Sequence, residues 1–147
     1  MAVYKFHTQR KIEFSDTDMA GIVHFSRYFV FMETAEHEFL NSLGTSVVSV
    51  VDGAKISWPR LSASFDFYAP MRFEDIIDIH LLIARKGRKS ITYHCILKKG
   101  DELIARGKMA AVCCTFNTGE SLQAIAIPEQ IADKIVTAPA AELKQES

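Results

Sequence analysis

The sequence has little charge imbalance, few cysteines and no long hydrophobic run, and each absence excludes a class of protein. Its 147 residues carry 17 Lys and Arg against 18 Asp and Glu, a formal net charge of −1. A balanced charge gives no long-range field for polyanions, which argues against nucleic acid or an anionic membrane as the main partner. No window approaches the roughly 20 apolar residues of a membrane span. The first residues lack the apolar core of a signal peptide, so we expect a cytoplasmic protein.

The three cysteines are unsuited to a disulfide framework. Cys95 stands alone, and Cys113 and Cys114 are adjacent, a geometry that an ordinary disulfide does not favour. No helix start or basic neighbour near them would activate a thiol as a nucleophile. We therefore expect reduced cysteines that are buried or half-buried in strands.

Several recognisable catalytic motifs are also missing. The five histidines form no His-x-x-x-His pair and the cysteines form no Cys-x-x-Cys pair, so no metal site is expected. The sequence contains no Gly-rich phosphate loop, no Rossmann fingerprint and no G-x-S-x-G elbow. These absences argue against nucleotide-driven, redox and serine-hydrolase chemistry, and we expect no cofactor.

What is present is the composition of one globular domain, with 48% hydrophobic and 24% charged residues. A chain of about 150 residues can bury roughly 70% of the surface that it exposes when unfolded. No repeat or linker divides it. We predict a single domain over residues 1–137 and a frayed, flexible tail over residues 138–147.

The hydrophobic pattern changes from strand to helix and back to strands. Residues 4–14 alternate in polarity, which predicts a strand with one solvent-exposed face. Between residues 27 and 43 the apolar positions recur every three or four residues, which predicts a helix with Ser26 as N-cap and Gly44 as the residue that ends it. Residues 55–117 are typical of antiparallel strands with tight turns. This order predicts an α+β fold.

An acidic stretch lies between the first strand and the helix. Asp16 and Asp18 come just before the helix start. On spacing alone, turn formation is the favoured interpretation, because carboxylates accept backbone hydrogen bonds in turns and are stabilised near the positive end of a helix.

The run IEFSDTDMAGIVHFSRY, followed by FVFMETAEHEFL, resembles the signature of the hot-dog-fold acyl-CoA thioesterases, in the 4-hydroxybenzoyl-CoA thioesterase branch. The likeness continues through SASFDFYAPMRFEDII, GRKSITY and ARGKMAAVCCTF, from about residue 8 to about residue 128. Its D-x-D-x-x-G core is fairly specific when a tyrosine and a glutamate-bearing helix follow, as here. The resemblance implies an antiparallel sheet of about five to six strands wrapped around one long central helix.

The resemblance also implies a mechanism. The catalytic carboxylate of the family matches Asp18, which would attack the thioester carbonyl to give a mixed anhydride or activate a water as general base. The backbone N–H that polarises the carbonyl matches Phe25 at the helix start. Gly21 would let the loop pass close to the substrate. Asp16 is expected to shape the loop.

Four further positions match the family or suggest a substrate contact. Glu33 matches an acidic helix position that would bind a polar part of the acyl group or orient water, and a solvated surface carboxylate is an equal alternative. Arg88 and Lys89 match the basic hairpin that meets the nucleotide end of CoA, unless their charges only make an exposed turn soluble. Ser64 is a candidate for the acyl pocket, although a half-buried strand explains its alternation equally well.

Two positions depart from the family pattern. Arg27 stands where many relatives carry Asn, and Phe25 stands where many carry His, so the roles of those side chains are not carried over. Arg27 opposes the helix dipole slightly, and we expect its guanidinium to reach a phosphate or a carboxylate instead.

The function that the resemblance implies is hydrolysis of an acyl-CoA to free acid and CoA. An aromatic acyl group is favoured, with short-chain aliphatic groups as the alternative. The family pairs two sheets edge to edge with its active sites at the dimer interface, so we expect a homodimer or homotetramer. Two alternatives stay open: a non-catalytic module that binds acyl-CoA or acyl-carrier protein on the same fold, and a hot-dog hydratase or dehydratase that uses His24.

Overall fold

The structure is a computed structural model that describes residues 1–116, 119 and 121–146. Its first strand, β1 (Lys5–Lys11), leads through a short 3-10 turn (Phe14–Asp16) into the long helix α1 (Phe25–Ser42). The strands that follow are β2 (Ser49–Val51), β3 (Ala54–Ser57), β4 (Arg60–Phe67), β5 (Ile76–Lys86), β6 (Ser90–Lys99), β7 (Glu102–Val112), β8 (Cys114–Thr115) and β9 (Gln123–Ala124). Two short helices, α2 (Glu129–Ala132) and α3 (Ala140–Glu146), come last.

The main sheet has five strands in the order β1-β5-β6-β7-β4, and every neighbouring pair is antiparallel. Tight turns join β5 to β6 and β6 to β7, because chain neighbours in an antiparallel sheet need only a short connection. A smaller sheet has the order β2-β3-β8-β9. The predicted α+β class, with one long helix against an antiparallel sheet, is confirmed. Strands β1 and β4 are the two edges of the main sheet.

Helix α1 packs an apolar stripe against one face of the main sheet. The stripe recurs at helical spacing, and its members are almost fully buried: Tyr28, Phe31, Met32, Ala35, Phe39 and Leu40. They share one core with inward-facing residues of β5 and β6, among them Ile79, Leu81, Tyr93 and Leu97. Since burying one large apolar side chain contributes about 1.5–3 kcal/mol, this stripe fixes the helix start where the acidic loop ends.

The two ends of α1 test the predicted caps. The helix begins at Phe25, and its N-cap is His24, whose Nδ1 accepts a hydrogen bond from the backbone N–H of Ser26 at 3.3 Å. The prediction of Ser26 as N-cap is therefore wrong, because Ser26 lies inside the first turn. At the other end Gly44 has a φ of +83°, a left-handed conformation that glycine adopts readily after a helix, as predicted.

Of the ten residues predicted as a flexible tail, the structure describes residues 138–146, and they include a helix. The backbone N–H of Ala138 donates to the carbonyl of Ile83 at 2.8 Å. Helix α3 follows, and Leu143 packs with Leu82 and Ile96 on the face of the main sheet opposite α1. The packed structure therefore continues past residue 137, because α3 adds a small apolar contact to the outer face of the sheet.

Candidate active site

The acidic loop is anchored by Asp16, whose side chain is fully buried. Its Oδ2 accepts the backbone N–H of Glu13 at 2.9 Å. Its Oδ1 accepts the Nε–H of Arg27 at 3.0 Å, and the Nη2 of Arg27 lies 2.9 Å from the same oxygen. The carbonyl of Asp16 accepts the backbone N–H of His24 at 2.9 Å. Asp16 thus ties the end of the first strand to the helix start, and Arg27 reaches a carboxylate.

Beyond this anchor the chain makes a tight hairpin that carries Asp18. Thr17 and Val23 form an antiparallel bridge. The N–H of Asp18 donates to the carbonyl of Ile22 at 2.9 Å, and the N–H of Gly21 donates back to the carbonyl of Asp18 at 3.0 Å. Gly21 has a φ of +80°, and a Cβ there would meet no atom within 4 Å. The backbone conformation of the turn, rather than lack of space, requires glycine.

The carboxylate of Asp18 is held by its own loop. Oδ1 accepts the backbone N–H of Ala20 at 2.8 Å, and within the described residues Oδ2 has no hydrogen-bond partner. The side chain lines a groove of about 550 Å³, whose other lining residues are Ile22, Val23, Phe25, Tyr28, Phe67, Tyr68, Ala69 and Pro70. A half-exposed, oriented carboxylate with one free oxygen beside an apolar groove is suited to act as a nucleophile or general base.

Phe25 is the first residue of α1, and the first N–H groups of a helix have no partner within the helix. The neighbouring groups are satisfied: the N–H of His24 donates to Asp16, and those of Ser26 and Arg27 donate to His24. In the part of the chain that the structure describes, no group accepts a hydrogen bond from the N–H of Phe25. An unpaired N–H at a helix N-terminus can stabilise an oxygen that becomes negative.

The groove has an aromatic wall that the sequence did not identify as part of a site. The rings of Tyr28 and Phe67 meet edge to face with centroids 4.7 Å apart, and Phe65 packs behind them at 5.8 Å from Tyr28. Burial raises the pKa of Tyr28, so its hydroxyl stays protonated. The alternating SASFDFY segment was the available signal, because it places Phe65 and Phe67 on one face of a strand.

Glu33 lies in a different depression, of about 370 Å³, and within one chain it does not line the Asp18 groove. Its side chain is 53% exposed, and its Oε2 is 3.7 Å from the Nη2 of Arg60. The depression is also lined by His37, Val47, Val48, Ser57, Trp58 and Pro59. The structure therefore separates Glu33 from the Asp18 and Phe25 pair in the single chain.

Below Glu33 lies a buried ion pair that the sequence reasoning missed. Glu36 is fully buried, and Arg60 holds it with two nitrogens, Nη1 at 2.8 Å from Oε2 and Nη2 at 2.5 Å from Oε1. Burial raises the pKa of Glu36, and the hydrogen bonds and charge of Arg60 oppose that rise. Burial would lower the pKa of Arg60, but Glu36 raises it. The spacing of Glu36 from Met32 and Phe39 was a usable signal, since it places a carboxylate on the apolar stripe.

The remaining candidates do not line the Asp18 groove. Arg88 and Lys89 lie in the β5–β6 turn, where their carbonyls accept the N–H groups of Ile127 at 2.9 Å and Cys113 at 2.7 Å. Neither side chain has an ion-pair partner among the described residues. The turn is therefore fixed while its two cationic side chains remain available. Ser64 is exposed in the middle of the edge strand β4.

Other sites are absent from the described part of the chain. It contains no group of three or more His, Cys, Asp or Glu side chains that could hold a metal ion. Its helices include none that is both long and apolar enough to cross a membrane. All three cysteines are unpaired and buried, as expected. Burial, reinforced by Cys114, raises the pKa of Cys113 to about 11, which keeps this thiol protonated and unreactive near neutral pH.

Comparison with known proteins identifies the family. Residues 20–105 match the family model described as the thioesterase superfamily. A putative esterase of Aquifex aeolicus is 30% identical over 129 residues, 87% of this chain and 95% of that protein. The 4-hydroxybenzoyl-CoA thioesterase of Pseudomonas sp. is 30% identical over 127 residues, 82% of this chain and 89% of that enzyme.

Solved structures agree with this assignment. A gentisyl-coenzyme A thioesterase superposes with a TM-score of 0.76 at 30% identity, covering 86% of this chain and 99% of that one. The 1,4-dihydroxy-2-naphthoyl-CoA thioesterase of Synechocystis superposes with a TM-score of 0.79 at 22% identity, covering 89% of this chain and 95% of that one. The chain belongs to the thioesterase superfamily and has the hot-dog fold, as the sequence motif predicted.

Proposed function

We propose that this protein hydrolyses the thioester of an acyl-CoA to a free acid and CoA, with Asp18 as the catalytic carboxylate. One observation carries the proposal: the groove that Asp18 lines with a free carboxylate oxygen is also lined by Phe25, whose backbone N–H is unpaired within the described residues. These are the two groups that thioester cleavage needs, a nucleophile or base and a donor for the carbonyl oxygen. Membership of the thioesterase superfamily supports this reaction class.

The chemistry follows from the two groups. The thioester carbonyl oxygen accepts the N–H of Phe25, which makes the carbonyl carbon more electrophilic. The Asp18 carboxylate then either attacks that carbon, or takes a proton from a water that attacks it. The carbon–sulfur bond breaks and CoA leaves as a thiol, taking its proton from Asp18 in the general-base route and from solvent in the covalent route. In the covalent route, water then hydrolyses the mixed anhydride and restores the Asp18 carboxylate.

We favour an aromatic acyl group as the occupant of this groove. Its wall includes Tyr28, Phe67 and Tyr68, and aromatic rings favour edge-to-face or offset contacts with one another. The named relatives act on 4-hydroxybenzoyl-CoA and 1,4-dihydroxy-2-naphthoyl-CoA. Short-chain aliphatic acyl groups remain the alternative that a substrate panel tests.

The second half of the site is proposed to come from another copy of the chain. Strand β4 is an unpaired edge of the main sheet, and Leu61 and Phe67 on it are 65% and 47% exposed. Its Phe67 end lines the Asp18 groove, whereas its Arg60 end lines the Glu33 depression. Antiparallel pairing of two β4 edges about a twofold axis sets the Phe67 end of one copy against the Arg60 end of the other. Asp18 would then share a site with Glu33 of the partner subunit.

This arrangement gives roles to the outlying residues. Glu33 of the partner subunit would meet the far end of the acyl group. Arg88 and Lys89 would meet the phosphates of CoA, for which unpaired cations on a fixed turn are suited. Ser64 would lie near the middle of the β4 contact. A homodimer is the smallest complete unit, and a homotetramer of two such dimers is a further expectation.

The test is hydrolysis of a panel of aromatic and aliphatic acyl-CoAs, monitored by the release of free thiol. Asp18→Asn should lower kcat by about a thousandfold or more, since removal of a catalytic carboxylate commonly costs at least that. The matched control is Asp101→Asn, in the exposed β6–β7 turn, which should stay within about twofold of wild type. Equal activity of Asp18→Asn would contradict the mechanism. A wild type that hydrolyses none of the panel but binds acyl-CoA or acyl-carrier protein in calorimetry would favour the alternative, a non-catalytic binding module.

A further inference from the structure

We propose that the buried Glu36–Arg60 ion pair sets acyl specificity by leaving the charge of Glu33 available to the substrate. The inference rests on the proposed function, and it assigns Glu36 and Arg60 as positioning residues. Neither acts on the thioester. They determine whether the carboxylate of Glu33 is free to accept a hydrogen bond from the acyl group.

Arg60 lies near two carboxylates, but it forms hydrogen bonds with only one of them, Glu36. Arg60 donates to both oxygens of Glu36, at 2.8 and 2.5 Å, and its Nη1 also donates to the carbonyl of Trp58 at 3.2 Å. The oxygen of Glu33 is 3.7 Å from Nη2, beyond hydrogen-bond distance. Arg60 is thus committed to the buried carboxylate and only weakly attracts the exposed one.

The charge balance then determines which acyl groups fit. Two carboxylates and one guanidinium leave a surplus negative charge, which resides on Glu33 because Glu36 has the bidentate partner. A half-exposed carboxylate with free lone pairs accepts hydrogen bonds strongly. It favours an acyl group whose far end carries a hydroxyl donor, and it repels one that carries a carboxylate. His37 also lies near the buried carboxylate: it follows Glu36 on α1, and its Nε2 is 4.0 Å from Oε1 of Glu36.

A pair of variants tests this division. Glu36→Gln keeps the shape of the side chain but removes its charge, so Arg60 should turn to Glu33 and neutralise it. The ratio of kcat/KM for 4-hydroxybenzoyl-CoA to that for benzoyl-CoA should then fall about tenfold, the value of one hydrogen bond to a charged group. In the double variant Glu36→Gln, Arg60→Met the guanidinium is gone as well, Glu33 is free again, and the ratio should return to within about threefold of wild type.

The two substrates separate specificity from damage to the fold. A purely structural role would lower both rates together in Glu36→Gln and would lower them further in the double variant, and either result would overturn the proposal. A crystal structure of Glu36→Gln supplies a readout that needs no activity. It should show the Nη2 of Arg60 within about 3 Å of Glu33, and an unmoved Arg60 would overturn the proposal. Failure of wild type to hydrolyse either thioester would instead reject the proposed function. The crystal structure would still show whether Arg60 pairs with Glu33 when Glu36 loses its charge.

Discussion

Arg27 holds the buried carboxylate of Asp16 with two nitrogens of one guanidinium, Nε at 3.0 Å and Nη2 at 2.9 Å from Oδ1. The contact joins the first turn of α1 to the loop that precedes Asp18. Asp16 is fully buried, whereas the side chain of Arg27 is about one-third exposed. The planar guanidinium therefore closes the loop from outside, and the position of Asp18 relative to the helix start depends on it.

Removing this guanidinium should destabilise the protein and misplace the loop. We expect Arg27→Met to lower the free energy of unfolding by about 3 kcal/mol, because it leaves a buried carboxylate without its close partner. Arg27→Lys should recover only part of that loss, since an ammonium lacks the fork geometry. Urea unfolding measures both, with the exposed Arg85→Met as control within about 0.5 kcal/mol of wild type. The Nη2 of Arg10 lies 3.8 Å from Oδ1 of Asp16. A loss of under about 1 kcal/mol in Arg27→Met would show that Arg10 alone is enough to stabilise the buried Asp16 carboxylate.

The turn that carries Asp18 should require glycine for its backbone alone. Gly21→Ala should cost about 1 kcal/mol of stability, because φ is +80° and no atom lies within 4 Å of an added Cβ. Gly53→Ala is a matched control: its φ is +81° in equally open space, between β2 and β3. Both variants should unfold at similar urea concentrations, but only Gly21→Ala should lower kcat with an aromatic acyl-CoA. Equal kcat in the two variants would show that the Asp18 loop tolerates the change.

The aromatic wall of the groove rests on Gly107 in β7. A Cβ there would lie 2.6 Å from two ring atoms of Phe65, closer than any real contact. Gly107→Ala should therefore cost about 1–3 kcal/mol through overpacking and displace Phe65 toward Phe67 and Tyr28. Adding Phe65→Leu should restore part of the lost stability by making room. Thermal unfolding checks this coupling, and simple additivity of the two changes would contradict the predicted contact.

Local patterns predicted the elements of the fold because they depend on near neighbours in the sequence. The spacing of Tyr28, Met32 and Phe39 indicated α1, and Gly44 marked its end. Ser26 was assigned as N-cap because hydroxyl caps are common, whereas here the ring nitrogen of His24 accepts the bond. Helix α3 was not predicted because Leu143 is its one large apolar side chain, too little for a periodic pattern, and its contacts are tertiary.

The candidate site was predictable only where a motif carried it. Asp18 and Phe25 follow from the loop motif, and the structure brings them to one groove. The pairing of Glu36 with Arg60 joins α1 to β4 across 24 residues, a distance that no local periodicity reports. Glu33 lies outside the Asp18 groove of its own chain, so its predicted role depends on a second copy that one sequence does not describe.

Asp75 should contribute a pH dependence to stability. Burial acts to raise its pKa, but hydrogen bonds from Lys99 and the backbone N–H of Arg72, with their charges, outweigh burial and lower the pKa below its usual value. Its contribution is therefore complete above pH about 4 and is lost as the pH falls through the lowered folded-state pKa. Asp75→Asn should cost about 1 kcal/mol at pH 7 and progressively less below pH 4. Urea unfolding at several pH values measures the difference, and a pH-independent gap between the two proteins would contradict it.

The proposed pairing of two chains through their β4 edges can be tested with a charged residue at the contact. Ser64 lies near the middle of β4, so a twofold axis through that edge brings the two copies of this residue close together. Ser64→Lys should then place two like charges side by side and weaken the dimer. Gln9→Lys on the opposite edge, β1, adds the same charge away from the contact and should leave assembly unchanged. Light scattering after size-exclusion chromatography should show a monomer for Ser64→Lys and a dimer or larger assembly for wild type and Gln9→Lys. Because Asp18 and Glu33 would share a site only across this edge, thiol release should fall in parallel with dimer content. Full activity in a monomer would mean that one chain holds the whole site.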